Sequence, residues 1–161
     1  SLGGVLTLRL AQEHGDKISG IACLAAPAFL HKWVRATLPI VMRSPLRFVY
    51  RYQPKAQADV KDPIARKNYW SVDQMPLKCI HSLTELQKKV RAELKTVNNP
   101  ALLIHSRYDA TAPYESLDYF AKNISSKVIE TVTLENSFHL ITIDYEKDTV
   151  SQKVGEFFGK L

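Results

Sequence analysis

Residues 101–113 read ALLIHSRYDATAP. Ala101 to His105 is a short apolar run closed by a turn-rich stretch and Pro113. A run of this length bounded by turn residues reads as a strand buried on both faces, as in parallel sheets. Asp109 follows just past its end. In an open α/β sheet the C-terminal ends of the strands form the edge where ligands bind. An aspartate here reads equally as the N-cap of a helix that follows over Tyr114 to Lys122.

Outward from this stretch the same alternation recurs. Ile18 to Ala26 (ISGIACLAA) is a second apolar run, ended by Pro27, and Lys127 to Leu134 (KVIETVTL) alternates apolar and polar residues as an outer strand does. Gly4 to His14 carries Val5 and Leu8, with Leu6 and Leu10 beside them, at helical spacing, and Gly15 follows as a C-cap. Asp144 to Leu161 reads as an amphipathic helix with Val150, Val154, Phe157 and Phe158 on one side. The order is helix, strand, insert, strand, helix, strand, loop, helix. Strands alternating with helices predict an α/β fold with parallel strands and flanking helices.

The segment between the first two strands differs in character. Residues 28–98 hold 14 Lys/Arg against 5 Asp/Glu, and the remainder holds 8 against 11. A basic excess confined to one segment speaks against a uniformly nucleic-acid-binding surface. Phe29 to Tyr52 mixes large apolar and basic residues at helix-like intervals broken by Pro39 and Pro45, and Pro76 to Lys95 resumes a helical pattern. The expected organisation is therefore a core over residues 1–27, an inserted helical cap over 28–98, and the core again over 99–161.

With 161 residues, 45% of them hydrophobic, the chain has the composition of one soluble domain. No run approaches the ~18 apolar residues of a membrane span, so stable membrane insertion is not expected. Cys23 and Cys79 make no disulfide framework. Cys23 sits in an apolar run and reads as a small buried hydrophobe, and a reducing, cytoplasmic compartment is expected. His14, His31, His81 and His105 form no metal-ligand pair with a nearby Cys or carboxylate, so no metal and no cofactor are expected. The chain opens on Ser-Leu-Gly-Gly without a preceding strand, and this reads as a start at an internal point of a longer protein.

Three loops carry the residues of serine hydrolysis, which needs a nucleophile, a base, an orienting carboxylate and N–H donors for the oxyanion. Ser1-Leu2-Gly3-Gly4 stands directly before a helix, where a serine side chain is exposed and small residues let the helix pack close. By itself it also reads as a capping Ser at a helix start. Asp109 follows the central strand. His139, in Asn136-Ser137-Phe138-His139, follows the last strand, and alone it reads as a surface histidine. Together they stand in the order Ser, Asp, His, which is that of the α/β-hydrolases. Thirty residues separate Asp109 from His139, the length of one helix-and-strand crossover.

His139-Leu-Ile-Thr-Ile-Asp-Tyr-Glu-Lys-Asp148 resembles the catalytic-histidine loop of the bacterial carboxylesterase and monoacylglycerol-lipase family of α/β-hydrolases. Ser1-Leu-Gly-Gly resembles that family's nucleophile turn, and ALLIH with Ser106 to Pro113 its acid loop. The resemblance implies a partial α/β-hydrolase fold with Ser1 as nucleophile, Asp109 as acid and His139 as base. It implies that Leu2 donates one oxyanion N–H and that an early loop, absent here, donates the other. It implies a small-molecule ester substrate, of short to medium acyl chain or a monoacylglycerol. The family usually has Gly before the histidine. Phe138 stands there instead, as a candidate pocket-lining residue.

In the cap, Phe29, Trp33, Leu38, Val41, Met42, Phe48 and Tyr50 either wall an acyl pocket or form the cap's own core. Lys32, Arg35, Arg43, Arg47 and Arg51 either face an anionic interface or are a solvated helix face. Asp118, Asp144 and Asp148 are expected within helices, as solvent or capping groups.

Two other readings stay open. An N-terminal-nucleophile amidase would use the amine of Ser1 as base, leaving Asp109 and His139 without a role. A non-catalytic fragment or interaction module would retain the C-terminal half of the fold without the elbow strand and half the oxyanion hole. An exposed strand edge would admit a homodimer.

Overall fold

The computed structural model describes residues 1–49, 51–54 and 57–161. Helix α1 (Leu2–His14) leads through a short 3₁₀ turn into strand β1 (Ile21–Leu24). Helices α2 (Lys32–Arg43) and α3 (Leu46–Val49), strand β2 (Tyr52–Pro54), helix α4 (Pro63–Asn68), strand β3 (Gln74–Pro76) and helix α5 (Leu77–Ala92) follow. The chain then runs through β4 (Ala101–Ser106), α6 (Glu115–Asn123), β5 (Ile129–Leu134) and α7 (Lys147–Phe158).

Strands β1, β4 and β5 form a parallel sheet with β4 at its centre. All six residues of β4 are buried, as its unbroken apolar run predicts. Successive side chains of a strand point to opposite faces, and β4 divides accordingly. Ala101 and Leu103 join a core with Val5 and Leu8 of α1, Val90 of α5 and Phe120 of α6. Leu102 and Ile104 join a second core with Leu134 of β5 and Val150 and Phe157 of α7. Apolar burial on both sheet faces is the main force that holds the layers together.

Close approach of α1 to β1 depends on Gly4. A Cβ there would stand 2.6 Å from the Ala26 Cβ, whereas a Cβ on Gly3 would meet nothing within 4 Å. Just past β1, Ala25 adopts a positive φ of 48°, a conformation that L-residues pay for in strain. Its N–H donates to Ile104 O at 2.8 Å.

The segment between β1 and β4 departs from the expected pattern in two ways. Helix α2 runs through Pro39 without breaking, and Pro45 is what separates it from α3. A proline costs a helix one hydrogen bond, and the burial of Leu38 on the adjacent turn favours continuation. The segment is also not wholly helical, because β2 and β3 pair antiparallel with Gln53 opposite Met75. Three-residue strands twenty residues apart leave no local periodicity to read.

The end of this segment is anchored in the core. Val90, Leu94 and Val97 are buried against α1 and the sheet. Gln12 Nε2 donates to Val90 O at 2.8 Å, Gln87 Nε2 to Pro27 O at 3.0 Å, and the Arg91 guanidinium to Ala28 O.

Candidate active site

Parallel pairing of β4 with β5 sets Ser106 opposite Leu134, so the loops that leave the two strands start side by side. Arg107 N donates to Leu134 O at 3.0 Å, and the Ser106 hydroxyl donates to Ser137 O in the facing loop. Asp109 and His139, thirty residues apart in sequence, come together on these loops. His139 Nδ1 lies 2.8 Å from Asp109 Oδ2, and both residues are buried.

The Asp109 carboxylate is saturated. Its Oδ1 accepts the N–H groups of Thr111 at 2.9 Å and Ala112 at 2.7 Å. Its Oδ2 accepts His139 Nδ1 and also lies 3.0 Å from His105 Nε2. Burial alone would raise this carboxyl. The hydrogen bonds from His105 and His139, the charge of a protonated His139 and the Ala112 N–H outweigh burial and hold it well below the ordinary carboxylate range. An ionised carboxylate only accepts, so each facing ring nitrogen carries its hydrogen. In the neutral form of His139 this places the proton on Nδ1 and the lone pair on Nε2, the tautomer a general base needs.

Ser1 stands at the N-cap of α1, exposed to solvent. Its backbone nitrogen donates to Leu24 O, at the C-terminal end of β1, across 2.6 Å. The Ser1 turn therefore lies at the same edge of the sheet as the loops after β4 and β5. Leu2 is the first residue of α1, and its side chain is 46% exposed. Phe138 is half-buried, and its N–H is held by Asp144 Oδ2 at 2.9 Å.

A cavity of ≈ 770 Å³ lies beside Asp109, with Phe29, Trp33, Arg35, Tyr114 and Arg107 among its walls. Phe29 also packs edge-on against Tyr119 at the core, 5.7 Å between centroids. Of the other apolar residues read as a pocket wall, Leu38 is buried, Val41 and Met42 are half-buried, Phe48 is exposed, and Tyr50 lies outside the described residues.

Three residues around Asp109 and His139 lie beyond what the sequence predicts. His105 has no metal-ligand partner in the sequence, yet its ring is buried against Asp109. The signal was present: an ionisable residue closing an otherwise apolar buried strand. Asp144 was expected in a helix. It lies instead in the turn before α7, 1% exposed, and accepts four backbone N–H groups, from Lys61, Asp62, Phe138 and Tyr145. Asp118 and Asp148 do fall in α6 and α7. Asp59 has no local signal in sequence, and it accepts Ala110 N and Thr111 Oγ in the loop after β4.

Among the described residues no group of three or more metal-ligating side chains converges, and no helix is long and apolar enough to cross a membrane.

The profile of the family described as serine aminopeptidase, S33 matches residues 1–146. The chain is 31% identical over 160 residues to the thermostable monoacylglycerol lipase of Bacillus sp. strain H-257, covering 99% of this chain and 60% of that protein. It is 26% identical over 161 residues to a carboxylesterase of Bacillus subtilis strain 168, covering 100% and 62%. Among solved structures, one from the work on the metagenome-derived lipolytic enzymes LipS and LipT superposes with a TM-score of 0.89 at 25% identity, covering 100% of this chain and 63% of that one. The monoacylglycerol lipase of Paleococcus ferrophilus superposes at 0.80 with 19% identity, covering 98% and 65%. The chain thus spans about three-fifths of the length of the curated relatives it matches.

Proposed function

The chain belongs to the S33 serine hydrolase family of α/β-hydrolases, and from that premise we propose that it is the nucleophile-bearing part of a serine carboxylic-ester hydrolase. Its substrates are esters of short to medium acyl chain, or monoacylglycerols. The observation that carries this reading is the 2.8 Å contact between His139 Nδ1 and Asp109 Oδ2, on loops that leave the C-terminal edge of the sheet.

In the proposed reaction Ser1 Oγ attacks the ester carbonyl while His139 Nε2 takes its proton, and Asp109 stabilises the imidazolium. The tetrahedral oxyanion accepts the Leu2 N–H at the start of α1, where the helix dipole also favours negative charge. Collapse expels the alcohol, which takes the proton from His139 and leaves an acyl-serine. Water, deprotonated by the same nitrogen, then releases the acid and restores Ser1.

Residues 28–98 act as a cap over this edge, with their last turns rooted in the core. Phe138 and the cavity beside Asp109 receive the substrate. The curated relatives are longer than this chain, and in this reading the rest of the whole protein supplies the strand of the nucleophile turn and a second oxyanion donor. Loss of one such donor costs on the order of 10²–10³ in rate, so the 161-residue chain by itself turns over slowly. We take the compartment to be reducing and cytoplasmic, in keeping with the free thiols of Cys23 and Cys79.

A fluorophosphonate probe tests the reading, applied to the chain with the upstream segment supplied. Peptide mass spectrometry should find the label on Ser1, and His139→Ala should abolish it. A folded protein that takes no label would instead favour the non-catalytic module. Label on Ser1 that survives His139→Ala would count against His139 as its base, and retention of that label by the 161-residue chain with its free Ser1 amine would favour an N-terminal nucleophile.

A further inference from the structure

We infer that Asp59 to Asp62, in the middle of the segment between β1 and β4, form a strap that holds the acid loop and the histidine loop in register, with Asp59 and Asp144 as its positioning residues. The inference rests on the triad reading above and adds residues that touch neither substrate nor reacting atoms.

One end of the strap holds the acid loop. Asp59 Oδ2 accepts Ala110 N at 3.0 Å and Thr111 Oγ at 2.8 Å, directly after Asp109. The same residue reaches the other loop through its backbone, since Asp59 O accepts Leu140 N at 3.1 Å, directly after His139. Asp59 thus bridges the neighbours of both triad residues. Val60 is fully buried between these contacts, and the Arg66 guanidinium donates to its carbonyl.

The other end is taken by Asp144. Its Oδ2 accepts Lys61 N at 2.7 Å and Phe138 N at 2.9 Å, so one oxygen ties the strap to the residue before His139. Its Oδ1 accepts Asp62 N and Tyr145 N, each at 2.9 Å. Lys61 Nζ adds a 2.7 Å bond to Asn136 Oδ1. These partners lie 51 to 83 residues from the strap in sequence. A segment of the proposed cap therefore sets the separation of acid and base, and its displacement would misalign them.

The two aspartates use their oxygens differently, and this gives an unequal pair of expectations. Asp59 places one oxygen against two donors, so Asp59→Asn keeps an acceptor where it is needed and Asp59→Ala does not. Asp144 uses both oxygens, so Asp144→Asn must turn an NH₂ against two N–H donors. The Asp62 side chain only caps α4, through Ile64 N and Ala65 N, so Asp62→Ala is a control that weakens the same segment without cutting the strap.

Proton NMR of the 161-residue chain reads the outcome independently of any ester activity. An imidazole N–H held by a buried carboxylate exchanges slowly and resonates far downfield, and its absence in His139→Gln assigns it to His139. The resonance should persist in Asp59→Asn and Asp62→Ala and vanish in Asp59→Ala and Asp144→Asn while the methyl spectrum stays folded. In the ester-hydrolysing form, the two damaging variants should lose about 10- to 100-fold in kcat with little change in KM, the scale of a small misplacement of catalytic groups. A sharp His139 resonance in folded Asp59→Ala or Asp144→Asn would overturn the strap, as would Asp59→Asn failing as completely as Asp59→Ala. If Asp144→Asn does not fold, the Asp59 pair decides alone. An expected NMR pattern in a protein without esterase activity would leave the strap standing and remove the proposed function. A wild-type chain lacking the resonance would remove both.

Discussion

His105 Nε2 lies 3.0 Å from Asp109 Oδ2, on the oxygen that also takes His139 Nδ1. The ring is almost fully buried and stacks edge-on against Tyr114, 6.1 Å between centroids. Its Nε2 also lies 3.2 Å from Ala112 O. The acid of the proposed triad is therefore held by two imidazoles, and only one of them faces the reaction.

Replacing His105 by Leu should destabilise the fold by about 1.5–3 kcal/mol, the range for a hydrogen bond to a charged group. It leaves Asp109 short of one donor in a buried setting. His105→Gln retains an N–H donor and should lose less. Urea unfolding of the two variants checks this, and a leucine variant with the wild-type midpoint would show that the contact contributes nothing.

Acid should unfold the chain through its buried carboxylates. Asp109 is held well below the ordinary range, and Asp144 is lowered as well, its four backbone N–H donors outweighing the opposing effect of burial. When the folded pKa is depressed, the unfolded chain binds more protons between the two values. The stabilisation is then complete above the unfolded pKa, about 3.9 for Asp, and is lost as pH falls through the folded values. Melting temperature should fall steeply from about pH 4 downward, and Asp144→Asn should flatten that fall. Parallel profiles for the two proteins would contradict the assignment to Asp144.

The two adjacent glycines of α1 should respond in opposite directions. Gly4→Ala sets a Cβ 2.6 Å from the Ala26 Cβ, an overpacking that typically costs about 1–3 kcal/mol. Gly3→Ala meets open space and should stabilise by about 0.5–1 kcal/mol through helix propensity. Thermal melts of both single variants decide the matter, and equal shifts would mean that α1 does not pack as described.

The two thiols should differ in reactivity. Cys79 is exposed, whereas Cys23 is buried, with a thiol that burial pushes up to about 12. Because the thiolate is the nucleophile, iodoacetamide at neutral pH should alkylate Cys79 alone in the native chain and both cysteines after denaturation. Native modification of Cys23 would place β1 outside the core.

Much of this molecule is legible in sequence because its signals are local. ALLIH reads as a buried strand from composition alone, and β4 is buried at every position. Val5 and Leu8 announce the inner face of α1. The order of Ser1, Asp109 and His139, each at a turn beside a strand or helix, singles out the residues proposed for catalysis. Pro39 misled because a proline's local cost is outweighed by the burial of its neighbour Leu38. The β2–β3 ribbon was invisible because each strand is three residues long.

By itself, then, the sequence determined the alternation of strands and helices and the parallel α/β class, which follow from spacing within a few turns of chain, whereas Ser1, Asp109 and His139 are proposed from their order along the whole chain and from the resemblance of their loops to the family's. Only the tertiary structure decided which polar groups converge: His105 on the oxygen of Asp109 that also takes His139, Asp59 on the N–H of Ala110, and Asp144 on the N–H of Phe138. A buried carboxylate takes its donors from whatever backbone the fold brings within about 3 Å, and for Asp144 two of those donors come from more than eighty residues away.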